Sequence, residues 1–157
     1  MRFTIERLEE CFTKLNEEMV AIVENSPERS LFEDGGKGEI TPKTPPVVSV
    51  VRAAAVVEQV FGGLTTRLWD DPFEWTLPEA LNDRQSILSY LDDVKKRQSE
   101  VFGRLQTDAD LQKTTPAPVE IMPIFTILLR ALTRSWYLLG IARANLGHRN
   151  IDQQISS

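Results

Sequence analysis

Histidine and cysteine are nearly missing from this chain: 157 residues hold one of each, His148 and Cys11. A lone cysteine closes no internal disulfide, and a lone histidine cannot supply the imidazole cluster that catalytic zinc or nickel sites use. Dense basic runs are missing too. Eighteen Lys and Arg stand against 23 Asp and Glu, for a net charge of −5. No segment carries the row of cations that would neutralise a row of phosphates, which argues against nucleic acid as a partner. No stretch reaches 18 uninterrupted apolar residues, so no membrane span is expected. The opening residues, MRFTIERLEECF, are charged and periodic where a secretory signal would be continuously apolar. These absences together predict a cytoplasmic protein without metal or cofactor.

What is present is helical periodicity. With 41% apolar residues the chain suits one compact domain over residues 1–148, followed by a frayed tail over 149–157. Phe3, Leu8, Phe12, Leu15, Met19 and Ile22 form one stripe that stops before Pro27. Val47, Val50, Ala54, Val57, Phe61, Leu64 and Leu68 form a second, with Pro45 and Pro46 at its entrance, where a missing N–H costs nothing. A third runs through Ile87, Leu91, Val94, Val101 and Leu105, capped by Asn82 or Asp83. The last is expected to open near Val119, bend at Pro123, pass Leu128, Leu132, Trp136, Leu139 and Leu146, and end at Gly147. Four stripes and no strand signal predict an all-α four-helix bundle, either up-down-up-down or with a crossover. The segment 24–46 reads as a long crossover loop. Phe73, Trp75 and Leu77 should pack across a bundle end, and 106–118 reads as a polar linker.

Catalytic groups are scarce. His148 stands beside Gly147 at a helix end, where an imidazole stays wet. Cys11 adjoins Phe12 and reads as a small core residue, without a neighbouring cation to make it a thiolate. The pairs Asp70 and Asp71, and Asp108 and Asp110, suit turns and caps better than acid–base work. No phosphate-binding glycine loop, Cys-x-x-Cys or His-Glu-x-x-His occurs.

The stretch LLRALTRSWYLLGIARAN, which ends at Asn145, together with WDDPFEWTLPEAL from Trp69 to Leu81, resembles the DinB-like (YfiT-like) four-helix bundles. The resemblance extends over roughly residues 45 to 148. It implies a bundle whose usual members hold a divalent metal with three histidines, two of them spaced i, i+4 on the last helix before an Arg-Gly-Gln-like element. Here that element reads Leu139-Gly140-Ile141, which puts Arg134 and Leu138 at the histidine positions. The third position, on the second helix before Glu58, falls on Ala53 or its neighbour. Family members with the histidines include thiol-dependent transferases and isomerases that use the metal to activate a thiol.

Two functions follow from this resemblance with its ligands missing. One is a metal-free module that binds a small molecule or another protein, with Arg134, Glu58, Leu138, Ala53 and Tyr137 around the former metal pocket. The other is a thiol-transferase-type enzyme rebuilt around Arg134, Arg130, Tyr137 and Glu58. In the first, Arg134 is expected to point into the bundle and pair with Glu58, the alternative being that it reaches out to water. Surplus apolar positions, Val48, Val56, Val60, Trp136 and Tyr137, suggest a homodimer or simply a wider core.

Overall fold

The computed structural model describes residues 1–26, 44–66, 68–69 and 81–155, with side chains as far as Gly147. Within them lie four α-helices: α1 (Phe3–Asn25), α2 (Pro46–Thr66), α3 (Arg84–Arg104) and α4 (Ile124–Ile155). The second prolyl residue opens α2, and the Asp83 carboxylate caps α3 by accepting from Ser86 N at 2.6 Å and Ser86 Oγ at 2.7 Å. No side chain of its own first turn caps α1. Asp108, more than 100 residues away, does so instead, accepting from Thr4 N at 3.1 Å and Ile5 N at 3.0 Å.

The stretch before α4 departs from the sequence expectation. Residues Asp108–Gln112 form a 3-10 turn, and β1 (Thr114–Pro116) pairs antiparallel with β2 (Ile121–Pro123). The helix predicted from Val119 starts only at Ile124. Pro116, Pro118 and Pro123 explain it, since each disfavours helical backbone at the residue before it and removes a helix donor. At the other end α4 continues through Gly147, which was expected to cap it, into the segment expected to fray. A helical glycine costs only about 1 kcal/mol relative to alanine, too little to force a stop. The expected loop over 24–46 and the packing of Phe73, Trp75 and Leu77 fall largely or wholly outside the described residues.

Hydrogen bonds at the helix ends define the topology. Asp108 N donates to Met1 O and Arg2 Nη2 to Phe102 O, which joins the start of α1 to the end of α3. The Trp69 indole, just past α2, donates to Pro116 O at 3.0 Å, and Ile124 N to Lys113 O at 2.9 Å. Four helix termini therefore meet around the hairpin. At the opposite end Arg84 Nη2 reaches Ser26 O, and Asn145 Nδ2 reaches Thr44 O. The directions are thus up, down, down, up, which is the crossover form of the two bundle arrangements foreseen. α2 lies against all three other helices and most extensively against α4, whereas α3 and α4 stand diagonally opposite.

The core follows the predicted stripes except at their ends, where Phe3 and Leu68, expected on the buried rows, are exposed because they sit at the helix termini. Ile5, Phe12, Leu15, Met19, Val50, Ala54, Val57, Phe61, Leu128 and Leu139 are wholly buried. Phe12 meets Phe61 edge-on at 5.1 Å between centroids, and Phe102 completes the cluster at 5.8 and 5.6 Å. One polar pair crosses this interior, Asn16 Nδ2 donating to Gln98 Oε1 at 2.7 Å. By length and composition Pro46–Thr66 and Ile124–Gly147 could each cross a membrane, a property not visible as an uninterrupted apolar run because Arg52, Glu58 and Gln59 interrupt the first and Arg130, Arg134 and Arg143 the second. For α2 this apolarity reflects enclosure in the bundle.

Two predictions follow from these contacts. Phe61→Ala removes the ring shared by three helices and is expected to cost about 3–5 kcal/mol in urea denaturation, as for other buried aromatics. The hairpin end should also be sensitive to acid. Asp110 bonds Lys113 and accepts from the amides of Thr107 and Gln106, which lowers its carboxyl to about 2. Burial opposes ionisation of Asp108, but the Thr4 and Ile5 amides outweigh it and hold that group below its usual value as well. Both carboxylates bind protons less readily folded than unfolded, so their stabilisation is complete above the ordinary carboxyl range and is lost as pH falls toward 2. Melting curves between pH 5 and pH 2 should show a smaller fall for Asp108→Asn than for the unsubstituted chain.

Candidate functional site

A groove of about 340 Å³ runs between the parallel helices α2 and α3, lined by Glu58, Leu81, Ser86, Ser89, Tyr90, Asp93, Val94 and Arg97. Its polar side follows from spacing: Ser86, Tyr90, Asp93 and Arg97 recur at four, three and four residues, a row beside the apolar stripe of α3. From α2 comes Glu58, one turn before Phe61. Its side chain is only 14% exposed, and a carboxylate so placed must be bonded. Tyr90 Oη donates to Glu58 Oε2 at 2.6 Å, and Arg97 Nη1 stands 3.9 Å from Oε1. The Arg97 side chain is more than half exposed, so it contributes field and reach more than fixed structure.

Other residues expected at the site do not converge there. Arg134 is exposed and makes no hydrogen bond or ion pair with the described residues, so the expected internal pair with Glu58 is absent. The reason is rotational. Ser135 is the residue that points at α2, its Oγ donating to Ala53 O at 3.3 Å, and Arg134 lies a hundred degrees around the helix from it. Ala53 is wholly buried in this α2–α4 contact, Leu138 is partly buried against the core, and Tyr137 is 69% exposed. Arg130 lies on the outer side of α4 beside Glu120 at 3.7 Å. Arg130, Arg134 and Tyr137 therefore share an outward surface, while Glu58 turns to α3.

Among the remaining candidates, Cys11 is exposed and so is not the core thiol expected from its neighbour Phe12. Asp108 and Asp110 serve as caps, as turn aspartates commonly do. The side chain of His148, and Asp70 with Asp71, lie outside the described residues. Among the described residues no three His, Cys, Asp or Glu side chains come together as a metal site would require. Comparison of the chain with protein-family models, with characterised proteins and with solved structures gives no match.

Substitution separates the two positions. Tyr90→Phe removes a bond to a shielded carboxylate and is expected to cost about 1.5–3 kcal/mol in chemical denaturation. Arg134→Ala is expected to stay within about 0.5 kcal/mol of the unsubstituted protein. The reverse ranking would mean that Arg134, and not Tyr90, is the partner on which Glu58 depends.

Proposed function

We propose that the chain is a DinB-like bundle that binds a small molecule without a metal, and that its ligand seat is the α2–α3 groove. The observation that carries this reading is the convergence of Glu58, Tyr90, Asp93, Arg97 and two serine hydroxyls on one open cleft of small-molecule size. Support for the family assignment is positional. Ala53 on α2 and the Arg134–Leu138 turn on α4 belong to helices in direct contact through Ser135, so the three places that hold histidines in metal-binding members lie on neighbouring helices. Arg134 is exposed, however, and Ala53 is sealed in the contact, so they form no shared pocket. A thiol-transferase centred on Arg130, Arg134, Tyr137 and Glu58 has weaker support, because those side chains occupy different sides of the bundle.

Charge sets the ligand chemistry. Among the described residues that line the groove, two carboxylates, Glu58 and Asp93, stand with one guanidinium, and a protonated amine complements the carboxylates while Ser86 and Ser89 offer neutral hydrogen bonds. A primary amine on a small polar body is the preferred class. Thermal shift with ethanolamine, putrescine and glycine against acetate as control tests it. At about ten times Kd a ligand adds about 1.4 kcal/mol, or about 3–6 °C for a domain of this size. The amines should stabilise the protein and acetate should not, and Glu58→Gln should abolish the shift. Equal shifts in the Glu58→Gln variant, or none with any amine at millimolar concentration, would refute the assignment.

A further inference from the structure

The groove between α2 and α3 has two poles along its length. The two helices run in parallel, so the step from Glu58 to Gly62 and the step from Asp93 to Arg97 advance the same way, each by four residues or about 6 Å. Tyr90 Oη meets Glu58 from one direction along α3 and Arg97 Nη1 approaches it from the other, which puts Glu58 near the level of Asp93. Arg97 belongs to the next turn. Its guanidinium does not fold back onto Asp93, the carboxylate one turn before it on the same helix. It crosses to α2, where Nη1 lies 3.9 Å from Glu58 Oε1 and 3.8 Å from the place a Cβ would occupy on Gly62. An alanine there would be in ordinary contact, and any longer side chain would enter the space the guanidinium fills.

A guanidinium carries its N–H donors in a planar fork that fits a carboxylate through two parallel bonds. Among the described residues Arg97 makes no hydrogen bond, and its one ion contact, the approach to Glu58, is long. The fork is therefore held across the groove with its donors unused. We propose, resting on the groove as an amine seat, that Arg97 is the seat of a carboxylate on the same ligand. The molecule that fits is an amino acid with its ammonium at Glu58 and Asp93 and its carboxylate on Arg97.

Spacing selects the length of that ligand. The poles are one turn apart, about 5–6 Å. In an α-amino acid such as glycine the nitrogen and the carboxyl carbon are separated by two bonds, too few to reach both poles. In γ-aminobutyrate they are separated by four, and the extended chain spans about 5 Å. Val94, which lines the groove between the poles, offers an apolar surface to the methylenes. A carboxylate suits the site better than a phosphate, since a dianion would have to enter beside two carboxylates with a single guanidinium to offset them.

Calorimetric titration of the full chain with γ-aminobutyrate and with n-butylamine, which has a methyl group in place of the carboxylate, tests the cationic pole. γ-Aminobutyrate should bind about fivefold or more tightly than n-butylamine, and glycine and O-phosphoethanolamine should bind less tightly than γ-aminobutyrate. Arg97 is exposed, so Arg97→Gln should fold normally and bring the ratio of the two affinities to about one. Gly62→Leu, which fills the space of the guanidinium while keeping Arg97, should do the same with unchanged helical circular dichroism. A ratio near one in the unsubstituted protein, tighter binding of O-phosphoethanolamine, or a ratio that survives Arg97→Gln would overturn the carboxylate seat and leave the amine seat standing. A ratio that survives Gly62→Leu would overturn the crossing at Gly62 as its cause. Failure of both γ-aminobutyrate and n-butylamine to bind at millimolar concentration would overturn the amine seat, and the carboxylate seat with it.

Discussion

Enclosure of α2 is the constraint from which the remaining structure follows. Val47, Ser49, Val50, Ala53, Ala54, Ala55, Val57 and Phe61 are all buried, so this helix has contacts on nearly every side and must be surrounded by three others. Its small residues determine how. Ala53 on α2 faces Ser135 on α4, and Ala54, Ala131 and Ala142 along the two helices are likewise essentially inaccessible; small side chains let two helix backbones approach closely. The Ser135 hydroxyl, which would be costly unpaired in such a place, reaches the Ala53 carbonyl. α4 is therefore the principal cover of α2, and the crossover topology brings α3 alongside it in parallel.

That arrangement decides where polar chemistry can occur. Glu58 is the one acidic residue of α2, and its carboxylate turns to the seam with α3. Tyr90 satisfies it there. Because α3 has an apolar stripe for the core and a polar row beside it, the seam opens into a groove with carboxylates, hydroxyls and a guanidinium. α4, by contrast, turns its buried row to the core and leaves Leu129, Arg130, Arg134 and Tyr137 exposed.

The apolar stripes of α1, α2 and α3 were legible because Phe12, Val57 and Leu91 each belong to rows that only a helix aligns. The Asp83 cap was legible for a similarly local reason. The cap of α1 was not: Asp108 acts across more than 100 residues, and nothing near Phe3 announces it. The hairpin Thr114–Pro123 is not legible in the sequence, because its strands are three residues long and Pro123 alone signals no more than a bend. At the site, Glu58 stands out in the sequence but its partner does not, since choosing between Arg134 and Tyr90 requires the rotation of α4 about its axis. The row Ser86, Tyr90, Asp93, Arg97 has helical spacing, but a polar row on a helix is the common pattern of a solvated face and does not by itself mark a site.

Native-state hydrogen exchange tests the enclosure of α2 most directly. Amides from Val50 to Phe61 should exchange only through global unfolding, with protection equal to the stability measured by denaturation, while those on the outer turns of α3 and the hairpin should open locally at lower cost. Exchange of the α2 amides through local opening, at lower free energy than those of α3, would contradict a fold organised around α2.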